Sequence, residues 1–544
     1  MIKLKNQIIN SIYTVTSNLS YPKKECSLAP PKNPEFGDLC SNIALLLAKD
    51  LKKSPLEIAN DIVGELNNIS NEHINSISVT NPGFINFKIE DHYFQSEIKN
   101  ILNESQNYGR GSTGIGKTAN VEFVSANPTG PLTVGHGRNA ILGDAVSNIL
   151  EWQGYKVTRE YYFNNAGRQM RILAQSVEAR YFELLGQDLE LPQDGYQGQY
   201  IINIAQSILN QKGRGLKSGD PIFKSIAEDT MFDKIKYTLK ELEIYFDQFT
   251  NEKTFYENGD IEKFMDELKG NDLIYEKENA TWFRTTSLGK EQDRVYIKST
   301  GEPTYRVPDT AYHRDKINRK YNLIIDVFGA DHADAYPDVI CALEALGHDT
   351  SHIKVLVYQF VTLLRNGEKV KMSTRKADFV SLDDLIDQVG MDVVRYFFIM
   401  RSMNSHLDFD LDLASDQSDK NPVYYLQYAH ARISNIISRT NNSDLPLNGQ
   451  FGPSYLIHDD ELYLLKHMVR FPEYINIAYE TLEPQNIANY LQELSARFHK
   501  FYSHCRVLTE DIELSKSRLA LVKATKIILA NGFKILGISA PERM

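Results

Sequence analysis

Apolar positions recur every three or four residues through IALLLAKDLKKSPLEIANDIVGEL, residues 43–66. That is the spacing of amphipathic helices. ISVTNPGFINFKI, residues 77–89, reads as two short strands around a Pro-Gly turn. The polar, glycine-rich NYGRGSTGIGKTAN follows as a linker. VEFVS, from Val121, is strand-like and leads into a Pro/Gly loop. A helix then places Leu142, Ala145, Val146, Ile149 and Leu150 on one face, QGY ends it, and KVTREYYFN is a second strand. This β-loop-α-β unit is the building block of a nucleotide-binding parallel sheet. NLIIDVFGADHADAYPDVICALEALG restores a strand, a turn and a helix, and HIKVLVYQFVTLL adds two apolar strands. From Asn421 to Met544 the pattern is a run of amphipathic helices, broken by NNSDLPLNGQFGPS.

The expected fold class is α/β: a Rossmann-like parallel-sheet domain at residues 108–415 with a mainly helical insertion at about 165–290. A small α+β domain precedes it at 1–107, and an all-α domain follows at 416–544. A chain of 544 residues is too long for one core, so several domains are expected. Runs such as IALLLA are too short to span a bilayer, and the N-terminus lacks a signal-peptide core, which points to a cytoplasmic protein. Cys26, Cys40, Cys341 and Cys505 form no C-x-x-C pair, so neither a zinc ribbon nor a redox pair is indicated.

A net charge of -11 argues against a nonspecific nucleic-acid coat, which wants a basic surface. The tail differs: from Arg497 onward nine Lys/Arg stand against four Asp/Glu. That surplus is either a solvated helix face or a face for nucleic acid.

Two short motifs compete for the phosphate chemistry. GSTGIGKT, Gly111 to Thr118, fits the phosphate-loop pattern G-x-x-x-x-G-K-[ST]. It precedes a strand, whereas the mechanism needs a strand before it and a helix after, so it reads as a chance match in a linker. The phosphate site belongs after VEFVS, where a loop meets a helix N-terminus. LTVGHGR, Leu132 to Arg138, lies there, and KVKMSTR, Lys369 to Arg375, sits in a loop far downstream.

This pairing resembles the HIGH and KMSKS signatures of class I aminoacyl-tRNA synthetases. VEFVSANPTGPLTVGHGRNAILGDA, YYFNNAGRQM, PDTAYHRDK, GADHADAY, DVVRYFFIMRS and NPGFINF are similar to arginyl-tRNA synthetases in particular, in order along nearly the whole chain. The resemblance implies ATP-dependent ligation of L-arginine to its tRNA through arginyl-adenylate, with ATP as its Mg2+ complex and no structural metal. It implies catalytic roles for Thr133, His136 and Lys371, and an ATP site at Pro131, Thr133, Gly135, His136, Gly137, Lys371, Met372 and Ser373. Glycines at 135 and 137 give the nucleotide room at the main chain. Arginine falls to Glu122, Ser125, Asn127, His136, Tyr305 and Asp309: Glu122 and Asn127 on the α-amino end, Tyr305 and Asp309 on the side chain, Asp309 as guanidinium partner. Asp331 and His332 stand at the rim. The N-terminal domain is expected to contact the tRNA elbow, and the helical C-terminal domain to bind the anticodon. Of Tyr424, Tyr425, Tyr428, Phe498, Phe501 and Tyr502, some are stacking platforms for bases and most are core. Activation is expected to require bound tRNA, and the chain to act as a monomer away from membranes.

Two positions depart from the family pattern. Thr133 replaces the first His of HIGH, and Thr374 replaces the second Lys of KMSKS. Gly130 stands where some relatives carry a compensating lysine, which leaves Lys369, Arg375 or Lys376 to supply the charge. The departures also leave open a tRNA-binding paralogue without activation chemistry.

Overall fold

The computed structural model describes all residues except 70, 331–332, 371–379 and 442–449. Its centre is a five-stranded parallel sheet. The strand Thr118–Glu122 comes first in the chain and lies in the middle. Lys156–Phe163 and Gln248–Asn251 add on one side, and Leu323–Gly329 and Ile353–Tyr358 on the other. The growth direction therefore reverses between Thr118–Glu122 and Leu323–Gly329. In open α/β sheets such a switch point leaves a crevice at the carboxyl ends of the two strands. Both strands are buried along almost their whole length, as a sheet covered on both faces requires.

The helix Val134–Trp152 connects the first two strands and is buried nearly all round. Three residues stitch its N-terminal half to the sheet. Asn139 accepts from the Val124 N–H at 2.6 Å and donates to the Val327 carbonyl at 2.9 Å. Arg138 donates to the carbonyls of Gln359, Ser402 and Ser405 at 2.5, 3.0 and 3.1 Å. Asp144, one turn on, receives Arg395 at 2.5 Å and Arg159 at 3.2 Å.

The strand expected at VEFVS ends earlier, at Glu122. Val124 and Ser125 have φ of +64° and +43°. The chain turns there in a conformation that β-branched residues rarely adopt, and Asn139 holds the turn. GSTGIGKT is a loop before the strand. Its Gly111 and Gly114 N–H groups donate to the Trp152 and Gln153 carbonyls, so they are spent on closing the end of a helix.

The 165–290 segment, expected as one insertion, returns to the sheet part-way. Helices Arg168–Leu184, Gln199–Lys212 and Ile222–Glu241 precede the edge strand Gln248–Asn251. A second excursion follows, with the helix Asp260–Gly270 and a small antiparallel sheet of Ile274–Lys277, Ala280–Phe283 and Arg294–Ile297. QFTN is four residues long and only partly buried, so it carries no periodic signal.

The first hundred residues pair Phe84–Ile89 between Leu39–Ser41 and Ile74–Thr80, antiparallel, behind the helices Ile2–Asn18, Ile43–Leu51 and Pro55–Leu66. Gly83 in the expected turn has φ +146°, and a Cβ there would meet the Pro55 carbonyl at 2.6 Å, so glycine is required. The C-terminal helices include Pro422–Asn441, Gln485–His504 and Ile512–Leu536. They pack on the N-terminal part through Lys5–Glu473 at 2.8 Å, Lys466–Asp38 at 2.9 Å and Asn531 to the Ser105 carbonyl at 3.0 Å. Arg395 joins them to the sheet, bonding the Leu536 carbonyl at 3.1 Å as well as Asp144. Gly537 leaves it room: a Cβ there would lie 2.0 Å from Arg395.

Removing one member of a buried ion pair leaves an uncompensated charge, at a cost of about 3–5 kcal/mol. Asp144→Ala is expected to lose that much stability through Arg395, read as a lower urea midpoint.

Candidate active site

Glu122 is the last residue of the central strand and is buried. Its Oε1 accepts from Ser125 Oγ at 2.8 Å, and its Oε2 accepts from Lys316 Nζ. Ser125 also accepts from the Tyr162 N–H at 3.1 Å, which ties the strained turn to the next strand. Lys316 donates at 2.5 Å to Asp326 Oδ1, in the strand on the other side of Glu122. His313 Nε2 lies 3.0 Å from the other Asp326 oxygen. Glu122, His313 and Asp326 approach one another closely enough to ligate a metal ion. The Lys316 ammonium, bonded to both acids, already supplies the cation that this group needs. Burial opposes a charged amine, but Asp326 and Glu122 outweigh it and hold the Lys316 pKa above the ordinary value. Asp326 is held well below the carboxylate range by Lys316 and His313, against the effect of burial.

Asp309 belongs to the same cluster and differs from it. It sits in the first turn of the helix Arg306–Asn318, one turn before His313, whose Nδ1 contacts the Asp309 carbonyl at 2.8 Å. Among the described residues no hydrogen bond or ion pair reaches its carboxylate. Burial, reinforced by Glu122 and Glu252, pushes its pKa up to about 7, with His313 and Lys316 pulling the other way. Glu252, just past the edge strand, accepts from Tyr162 Oη at 3.1 Å and Asn164 Nδ2 at 2.6 Å. Burial raises its pKa too. The Tyr162 ring stacks on Tyr312 at 4.3 Å, and so joins this acid to the Asp309 helix. The helix starts as Pro308 requires, with Tyr305 just outside it. Tyr305 is 76% exposed, so the structure does not bring it into the acid cluster.

At the N-terminus of Val134–Trp152, Thr133 caps the helix. Its Oγ1 accepts from the His136 N–H at 3.3 Å, and the Thr133 N–H donates to His136 Nδ1 at 3.2 Å. A nitrogen that accepts carries no proton, so His136 holds its proton on Nε2 as a donor. Threonine at this position is therefore a capping residue that orients the imidazole. The two glycines differ. Among the described residues a Cβ on Gly135 would meet only Thr133 Oγ1, at 3.7 Å, so they leave space there. A Cβ on Gly137 would lie 2.5 Å from Leu382, so that glycine serves protein packing and not the nucleotide room expected of it.

Asn127 is bonded at both ends of its amide, to Gln169 Oε1 and to the Asn164 N–H, each at 2.9 Å. Pro131 and Leu132 lead into the cap, and the Leu132 carbonyl accepts from the Leu382 N–H at 2.9 Å. Thr133 also bridges to Ser381. Lys371, Met372, Ser373, Thr374, Arg375 and Lys376 lie outside the described residues, as do Asp331 and His332. The chain around the former group is anchored on both sides. Val370 N–H donates to the Leu363 carbonyl at 2.9 Å before it, and Ser381 meets the HIGH-type helix after it. Lys369 is exposed in the short hairpin strand Glu368–Lys369.

Three parts of the chain match family models. Residues 3–89 match the arginyl tRNA synthetase N terminal domain, 97–398 the class I (R) tRNA synthetase catalytic domain, and 426–544 the DALR anticodon binding domain. The arginine--tRNA ligase of Desulfotalea psychrophila is 47% identical over 94% of this chain and 94% of its own. That of Salinibacter ruber is 46% identical over 96% of each. The chain belongs to the arginyl-tRNA synthetase family. The solved arginyl-tRNA synthetase of Thermus thermophilus has the same fold, with a TM-score of 0.77 at 22% identity over 99% of this chain and 100% of that one.

Within this arginyl-tRNA synthetase fold, Glu252, His313, Lys316 and Asp326 are the members of the candidate site that motif reading missed. Asp309, His313 and Lys316 share one helix face at four- and three-residue spacing, a signal present in PDTAYHRDK. Glu252 carries no such signal. In the C-terminal helices, Phe498 and Phe501 are core, whereas Tyr428 and Tyr502 are exposed and flank Arg432 at 4.5 and 5.3 Å. Much of the basic surplus there is paired, as in Arg518–Glu461 at 2.6 Å and Lys516–Glu513 at 2.9 Å.

Gly137→Ala is expected to lose about 1–3 kcal/mol by overpacking against Leu382. Gly135→Ala is expected to keep the wild-type melting temperature; calorimetry on the pair checks both.

Proposed function

We propose that this chain activates L-arginine with ATP and transfers it to its tRNA, with Asp309 as the partner of the guanidinium. The observation that carries this reading is the Asp309 carboxylate itself. It is the one acid of the cluster without a hydrogen bond or ion pair among the described residues, while Lys316 bonds both Glu122 and Asp326. A half-buried, desolvated carboxylate left so is compensated when a cation arrives. A guanidinium fits, being permanently charged, planar and rich in donors. Glu252 supplies a second acid and the Tyr162–Tyr312 pair a flat wall.

At the other end, Glu122 and Asn127 hold the α-amino group, and Ser125 keeps the Glu122 carboxylate in place. Each Glu122 oxygen keeps a lone-pair site beyond the Ser125 and Lys316 bonds. In activation an arginine carboxylate oxygen attacks the α-phosphate and pyrophosphate leaves. Charge builds on the phosphate oxygens, and His136 Nε2–H donates to them from a helix N-terminus. Pro131, Thr133 and Gly135 form the floor of the ATP site, and Lys371, Met372 and Ser373 serve the phosphates of ATP, taken as its Mg2+ complex. Transfer to tRNA then breaks the mixed anhydride and releases AMP. Tyr428, Arg432 and Tyr502 offer the unpaired anticodon bases a surface to stack on. The same reading takes the chain as a cytoplasmic monomer.

The test is pyrophosphate exchange with arginine, ATP and tRNA. Removing a preorganised donor costs roughly two to three orders of magnitude in rate, so His136→Ala is expected to slow adenylate formation that much. A wild-type rate removes His136 from the site. Asp309→Asn is expected to raise the arginine KM sharply, and an unchanged KM would assign the guanidinium to another acid. The pH profile carries the same signature. Above the Asp309 pKa of about 7 its carboxylate is ionised and the arginine KM is flat. Below it arginine must displace a proton, so KM rises by up to about tenfold per unit of falling pH. Asp309→Asn is expected to abolish that slope.

A further inference from the structure

Asp309, His313 and Lys316 lie on one face of the helix Arg306–Asn318. Lys316 is fully buried, and its ammonium lies 4.2 Å from the centre of the Tyr312 ring. From there it bonds Glu122 at the end of one strand and Asp326 in the next. His313 bonds Asp326 and contacts the Asp309 carbonyl. An unbroken chain of bonds therefore runs from Glu122 through Lys316, Asp326 and His313 to the backbone of Asp309. It joins the two ends of the amino-acid site.

We propose that Lys316 is a positioning residue that sets side-chain length specificity. It pins the helix carrying Asp309 to the strand end carrying Glu122, and so fixes the distance between the α-amino berth and the guanidinium berth. The inference rests on the roles given to Glu122 and Asp309 above. A cation that merely neutralised the acids would leave that distance free. This one bonds two strands from a helix, with a stem packed on all sides, so helix and strands move as one body. Sites hold substrates productively within fractions of an ångström, and a misplacement of about 1 Å costs on the order of a hundredfold. A methylene changes side-chain length by about as much, so a fixed span discriminates between homologues.

The experiment compares arginine with homoarginine, one methylene longer, in tRNA-dependent pyrophosphate exchange by the full chain. Lys316→Met is expected to lower kcat/KM for arginine by roughly a hundredfold, mostly through KM. The ATP KM is expected to stay unchanged, and the arginine-to-homoarginine ratio to fall about tenfold. Lys316→Arg, which keeps a cation on the two acids, is expected to restore most of that ratio. Should the single variant not fold, Lys316→Met/Asp326→Asn removes both a charge and its partner and is expected to show the same relaxed ratio. A folded variant with the wild-type ratio overturns the inference. Asp309→Asn, measured alongside, separates the two claims. If it raises the arginine KM while the Lys316 variants keep the wild-type ratio, only the length-setting role falls. If it leaves KM unchanged, the assignment of Asp309 falls and the length-setting role with it.

Discussion

A single buried ammonium makes the rest of this site possible. Without Lys316, Glu122 and Asp326 would face each other across adjacent strands as like charges in a low-dielectric interior. With it, each acid has a cation to bond: Asp326 is held well below the carboxylate range, Glu122 is bonded by Lys316 although burial pushes its pKa up, and His313 is held on Asp326. Among the described residues the cluster then has one carboxylate without a hydrogen bond or ion pair, on Asp309. Its desolvation is unfavourable when nothing is bound, and in the proposed reading a guanidinium compensates it. Selectivity in that reading comes from what the site leaves unpaired.

The frame around it works by a similar logic, with polar side chains used as rigid struts. Asn139 holds the turn after Glu122 and a carbonyl of the neighbouring strand at the same time. Arg138 gathers three carbonyls, of Gln359 before the KMSTR segment and of Ser402 and Ser405 after it. Asp144 and Arg395 tie that helix to the C-terminal helices. All three struts leave one helix, whose N-terminus carries His136. The position of the His136 imidazole is therefore coupled to the sheet, to the segments that Arg138 gathers and to the C-terminal helices.

Much of this was legible in the chain, for identifiable reasons. Apolar runs such as NLIIDVFG mark strands buried on both faces, and LTVGHGR after a strand marks a helix N-terminus. Glu122, Ser125 and Asp309 do meet in or beside one buried cluster. What stayed hidden depends on contacts distant in sequence. Lys316 meets Glu122 across 194 residues, and Glu252 follows a strand too short to leave a pattern. The resemblance gave Thr133 a catalytic role in place of a histidine, and its capping role is visible only once the helix start is known. Gly137 looked like nucleotide room, because Leu382 lies far away in sequence.

The most direct measurement is a crystal structure of the protein with arginine bound. The account predicts a guanidinium within hydrogen-bonding distance of the Asp309 carboxylate, with Lys316 still bonded to Glu122 and Asp326. A guanidinium seated on a different acid, away from the helix Arg306–Asn318, would contradict it.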